Sequence, residues 1–123
     1  MTRFACVDEL RQRLSEAEIG MLRALQFISA EFCGADRQSI AVRLKVADDL
    51  RSPTTIVVIN FIGVREFAIN IDSPMSMMLP SFDIWNVQDR QMEGIGVCAE
   101  DYEENTFRIM AAKANGVVSR QHD

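Results

Sequence analysis

From Val7 onward the apolar residues Val7, Leu10, Leu14, Ala17, Met21, Ala24 or Leu25, and Ile28 recur three and four positions apart, a spacing that lines them up as one stripe along a helix. The pattern predicts helix across the first 33 residues. Ser15, with Glu18 three residues on, has the form of a capping box, so the alternative is a short helix ending near Leu14 and a longer one from Glu16 to Phe32. Gly34 fits the stop. The stripe is short and contains Gly20, which favours packing on a sheet over a coiled coil.

After Asp36 the period changes to two. Ile40, Val42, Leu44 and Val46 alternate with Ala41, Arg43, Lys45 and Ala47, which predicts a strand with one wet face. Asp48 to Pro53 supplies a turn. The run Thr55 to Ile62 is almost entirely β-branched or aromatic, which predicts a central strand covered on both faces, and Gly63 permits a reversal or bulge. Phe67, Ile69 and Ile71 give a third strand. Ser73 to Pro80, bracketed by Pro74 and Pro80, is a Met-rich loop, because proline cannot donate to a ladder. Further strands are expected at Phe82, Ile84 and Asn86, at Ile95, Val97 and Ala99, and at Phe107, Ile109 and Ala111. Turns are expected at Gln88 to Gly94 and Asp101 to Asn105, the last two strands forming a hairpin. Ala111 to Ala114, before Asn115-Gly116, reads as a final turn of helix, with Val117-Val118 returning to an edge. Helix first and consecutive strands afterwards predict an α+β domain, an N-terminal helical segment packed on an antiparallel meander of five or six strands.

At 123 residues, with 48% hydrophobic and 25% charged side chains, the chain reads as one domain with a sizeable core, residues 1–123. A net charge of −5 argues against a nucleic-acid partner, since neutralising phosphates takes clustered Lys and Arg. Cys6, Cys33 and Cys98 are odd in number and scattered through apolar stretches, which predicts reduced, buried thiols and a reducing compartment. Acidic and basic residues interrupt the first dozen positions, and no apolar run approaches a membrane span. The expected location is the cytoplasm, with no membrane partner.

Catalytic chemistry finds little to work with. His122 is the only histidine and lies one residue from the end, so neither a His-activated nucleophile nor a histidine metal site is expected. Asp48-Asp49 and the cluster Glu100-Asp101-Tyr102-Glu103-Glu104 read as solvated turns, without the spacing of a calcium loop or a phosphate-binding motif. The chain is therefore expected to be no enzyme and to carry no cofactor or metal. Charge is uneven, however. Asp72 to Glu104 carries −7 and the remainder +2. The same segment holds Met75, Met77, Met78, Phe82, Trp85 and Met92, residue types enriched in interface cores. Asp83, Trp85, Asp89, Glu93, Glu100, Asp101, Glu103 and Glu104 are the candidate site, a surface able to steer a basic protein partner.

The runs Gly63 to Phe67, Phe82 to Ile95 and Glu100 to Phe107 form a pattern of strand, Asp-Arg turn, Glu-Gly, strand, acidic turn and strand. It resembles small bacterial α+β immunity proteins of polymorphic or contact-dependent toxin systems. The resemblance covers roughly the C-terminal half, and the chain departs from it after Phe107, where it runs into Ala111-Ala112-Lys113-Ala114. It implies a protein that neutralises a cognate toxin, often a nuclease, by binding it. Two alternatives remain at this level: a structural or oligomerisation domain, with the long helix pairing between copies, and a small-ligand domain with a pocket between helix and sheet.

Overall fold

The computed structural model describes residues 4, 7–33, 39–49, 51–69, 82–87, 96–101 and 107–120. Gly34, the Met-rich stretch, the turn at 88–94, most of the turn at 101–105, Cys6 and His122 lie outside them.

The capping box forms as expected: Ser15 N donates to Glu18 Oε1 at 2.9 Å and Glu18 N donates to Ser15 Oγ at 3.1 Å. It starts a helix of only five residues. The helical segment consists of α1 (Asp8–Arg13) and α2 (Glu16–Gly20), and the chain then enters a ten-residue strand, β1 (Ala24–Cys33). The predicted stripe holds for Val7, Leu10 and Leu14, which are buried, and fails beyond, where Ala17 and Met21 are exposed while Ile19 and Leu22 are buried. The expectation of helix to Phe32 is therefore corrected. β1 pairs antiparallel with β2 (Ser39–Ala47) from Ala24↔Ala47 to Cys33↔Ser39, and a register slip between Leu25 and Phe27 breaks the alternation that would have marked a strand.

The 15-residue β3 (Thr55–Ile69) joins what the spacing read as two strands. Gly63 is the bulge rather than the reversal: its φ is 69° and the register slips between Val64 and Glu66. Beyond it the strands β4 (Phe82–Asn86), β5 (Val97–Asp101) and β6 (Phe107–Arg120) complete a sheet in the order β1-β2-β3-β6-β5-β4, antiparallel throughout. This corrects the simple meander. Two three-stranded halves, β1-β2-β3 and β4-β5-β6, meet where β6 lies beside β3. An apolar strand as long as β3 needs a partner on each side, and β6, 14 residues long, can cover it where the five-residue β4 and β5 cannot. Ala111 to Ala114 are accordingly strand, although alone they favour helix. The domain is α+β but mostly β.

One face of the sheet carries the core, which the helical segment covers at α1. Val42, Leu44 and Val46 of β2, Val57, Ile59 and Phe61 of β3, and Ile109 and Ala111 of β6 are buried there with Leu10, Leu14, Ile19 and Leu22. The outer face of β3 is open at Ile62, 40% exposed, which corrects the expectation of a strand covered on both faces, because pairing on both sides buries the backbone without a second layer. Phe4, Phe82 and Phe107 stack edge to face, each adjacent pair 5.2 Å apart. Asp48 closes the β2–β3 turn. Its Oδ1 accepts from the backbone N–H groups of Thr54 (3.0 Å) and Thr55 (3.3 Å) and its Oδ2 from the Thr54 hydroxyl, so despite partial burial its pKa is lowered.

Candidate functional site

The outward face of the β4–β5–β6 end carries the described part of the expected acidic surface. Register sets it out in two rows. Trp85, Cys98 and Met110 face one another across β4, β5 and β6, and Met110 pairs on with Glu66 of β3. In the next row Asp83, Glu100 and Arg108 are opposed in the same way, and Arg108 pairs on with Ala68. Trp85 is half-buried, packed on a small cluster of Val87, Cys98 and Met110 separate from the main core. The face so formed carries one indole, three carboxylates and one guanidinium.

The expected site residues divide by what their side chains already do. Asp83 Oδ1 accepts from the backbone N–H of Phe4 at 2.8 Å and of Ile84 at 2.7 Å, so it fastens the N-terminal segment to β4. Glu100 is partly exposed, 3.8 Å from Arg108 Nε. Asp101 corrects the expectation of an exposed turn. It is the last residue of β5, opposite Phe82, and 0% exposed, because alternation turns it to the inner face while Glu100 points out. Asp89, Glu93, Glu103 and Glu104 lie outside the described residues. Trp85 and Glu100 are thus brought together, Asp83 stands beside them, and Asp101 is taken away.

Arg108 and Glu66 were not legible as members of this face. Arg108, beside the Cys98 sulfur and Glu66, is held further toward its charged form, and its Nη2 also lies 3.8 Å from Met110 Sδ. Burial pushes the Cys98 thiol up, outweighing the nearby guanidinium that favours thiolate. Among the described residues no group of three or more His, Cys, Asp and Glu is placed to hold a metal ion, and no helix is long and apolar enough to cross a membrane.

The same outward face carries a second feature over β1, β2, β3 and β6. Ser29 pairs with Arg43, Arg43 with Asn60 and Asn60 with Asn115, one polar row across four strands. Arg43 Nε donates to Asn60 Oδ1 at 3.1 Å, and Asn60 Nδ2 donates to Asn115 Oδ1 at 3.2 Å. The row lies in an open groove of about 370 Å³, lined also by Glu31 and Ile62. The one signal in sequence was Asn60, an amide inside an otherwise apolar run. Asn115 read as a turn residue.

Comparison of the chain with protein families, with curated proteins and with solved structures finds no match.

Proposed function

We propose that this chain is a protein-binding module of the immunity type, which neutralises a basic toxin domain by covering it with the acidic face around Trp85. The observation that carries the reading is the outward face on which the half-buried indole of Trp85, in a segment of charge −7, stands one strand from Glu100, with Glu66 at the far end of its own row, three strands away. Carboxylates at the rim steer a cationic partner and raise its association rate, whereas a desolvated aromatic anchor slows dissociation. The resemblance in the C-terminal half points the same way, and a nuclease, basic because it binds nucleic acid, is the partner such a face suits. An inhibitor of this kind acts in the cytoplasm, by occupancy and without chemistry of its own. Oligomerisation through a long N-terminal helix loses its element, since α1 and α2 have six and five residues.

The test is protection in cells. The chain is co-expressed with the candidate toxin domain encoded immediately upstream of it, and growth is scored beside the Glu66→Lys/Glu100→Lys and Trp85→Ala variants. Wild-type protein should restore growth and the variants should fail while remaining folded. Failure of the wild type, or equal rescue by the folded variants, would overturn the reading.

A further inference from the structure

The groove over β1, β2, β3 and β6 uses none of the Trp85 face, and its chemistry differs. Asparagine is depleted in strands, yet Asn60 occupies central β3 and Asn115 the neighbouring β6, directly opposed. The two hydrogen bonds of the row run in one direction, from Arg43 to Asn60 to Asn115, and this fixes the Arg43 fork and both amides. Arg43 spends only its Nε in the row. Its terminal Nη groups, and the Nδ2 group of Asn115, have no other hydrogen bond among the described residues. These donors suit a planar acceptor such as a carboxylate.

Glu31 narrows the choice. It pairs with Ala41 while Arg43 pairs with Ser29, so Glu31 and Arg43 are diagonal neighbours on the same face of β1 and β2, their backbones roughly 7–8 Å apart. A carboxylate lining the groove repels phosphate and other polyanions and attracts a cation. An anion and a cation borne on one carbon can meet a guanidinium and a carboxylate carried side by side on adjacent strands, each at a charged hydrogen-bond distance of about 2.8 Å. Ile62, 40% exposed, supplies an apolar wall. The volume of about 370 Å³ is at the small-metabolite end of ligand pockets.

We propose that this groove binds a free α-amino acid with an aliphatic side chain, its carboxylate on Arg43, its ammonium on Glu31 and its side chain against Ile62. The site is independent of the protein-partner reading and stands or falls separately from it.

The experiment is a titration of the ¹⁵N-labelled chain with L-leucine, following the backbone amides of Arg43, Asn60 and Asn115 and the side-chain amides of the two asparagines. Saturable shifts confined to this row are expected. Two further probes dissect the charge pair: 4-methylpentanoate lacks the ammonium and 3-methylbutylamine lacks the carboxylate, and each should bind at least about tenfold more weakly than leucine. Glu31→Gln should weaken leucine by a similar factor and leave 4-methylpentanoate no weaker, whereas Arg43→Gln should weaken both. Asn115→Leu, which removes the end of the row, serves if an Arg43 variant fails to fold, and should weaken leucine and 4-methylpentanoate alike. Absence of saturable shifts at the solubility limit of leucine would overturn the proposal. So would 4-methylpentanoate binding as tightly as leucine, or affinity indifferent to Glu31.

Discussion

Gly116 of β6 lies directly beneath Leu10 of α1: a Cβ at Gly116 would stand 2.7 Å from Leu10 Cδ2 and 2.9 Å from its Cγ. The helix therefore rests on bare backbone at this point of the sheet. Leu10 is fully buried, so Gly116→Ala forces α1 outward or Leu10 off its rotamer. Overpacking of this sort costs about 1–3 kcal/mol, against which the smaller unfolded-state entropy of alanine returns about 0.4–1 kcal/mol. Net destabilisation is expected in urea unfolding. Combined with Leu10→Ala the loss should be less than additive, since the clashing atoms are gone.

Glu18 and Arg120 tie the helical segment to the end of β6. Arg120 Nε and Nη2 donate to the Glu18 carboxylate at 3.0–3.1 Å, and Nη2 donates to the Arg13 carbonyl at 2.6 Å. The Ser15 backbone N–H, and then Arg120, hold the Glu18 carboxyl below its ordinary pKa of 4.5. A lowered folded-state value means that the stabilisation is fully present above pH 4.5 and is lost as pH falls through the lowered value. Wild type should exceed Glu18→Gln in Tm at neutral pH, and the two should converge on acidification. A gap that persists at acid pH would show that the pair matters through packing alone.

Neighbouring acids at the end of β5 should respond in opposite ways to charge reversal. Glu100 is partly exposed and its ion pair with Arg108 is a surface one, so Glu100→Lys should change stability by under about 1 kcal/mol. Asp101 is sealed inside opposite Phe82 and is not without a partner. A buried ammonium there should cost about 3 kcal/mol or more, a large share of the roughly 5–15 kcal/mol that holds a domain folded, and should lower Tm far more than Glu100→Lys does. Thermal melts of the two variants decide it, and equal Tm values would contradict the assignment of faces.

Cys98 should be silent until the sheet opens. It is 2% exposed and burial raises its pKa, so both access and thiolate population are low. Iodoacetamide treatment of the native protein at mildly alkaline pH, followed by peptide mass mapping, should leave Cys98 unmodified, and the same treatment in denaturant should label it fully. Rapid native labelling would mean that the Trp85–Met110 cover opens locally.

Features governed by local rules can be read from the chain alone. The capping box at Ser15 needs only four consecutive residues. β2 is written in strict alternation, and the β-branched run from Thr55 required a central strand, which β3 is. Gly63 was legible as a reversal or a bulge because only glycine takes a positive φ without strain, and the pairing of β3 with β6 made it the bulge. Where local preference and long-range pairing disagree, pairing wins. Residues 24–33 keep helical spacing and composition, yet become β1 because β2 offers an unpaired edge along its length. Ala111 to Ala114 become strand because β3, about fifty residues earlier in the chain, needs a full-length neighbour. The candidate sites follow the same division. Excess acid in 72–104 can be counted from the chain, but the side of the sheet each carboxylate takes depends on register, which turned Asp101 inward and set Arg108 and Glu66 on the same face as Trp85. The row Arg43–Asn60–Asn115 joins residues from three strands, and only the pairing of β2, β3 and β6 makes it one feature.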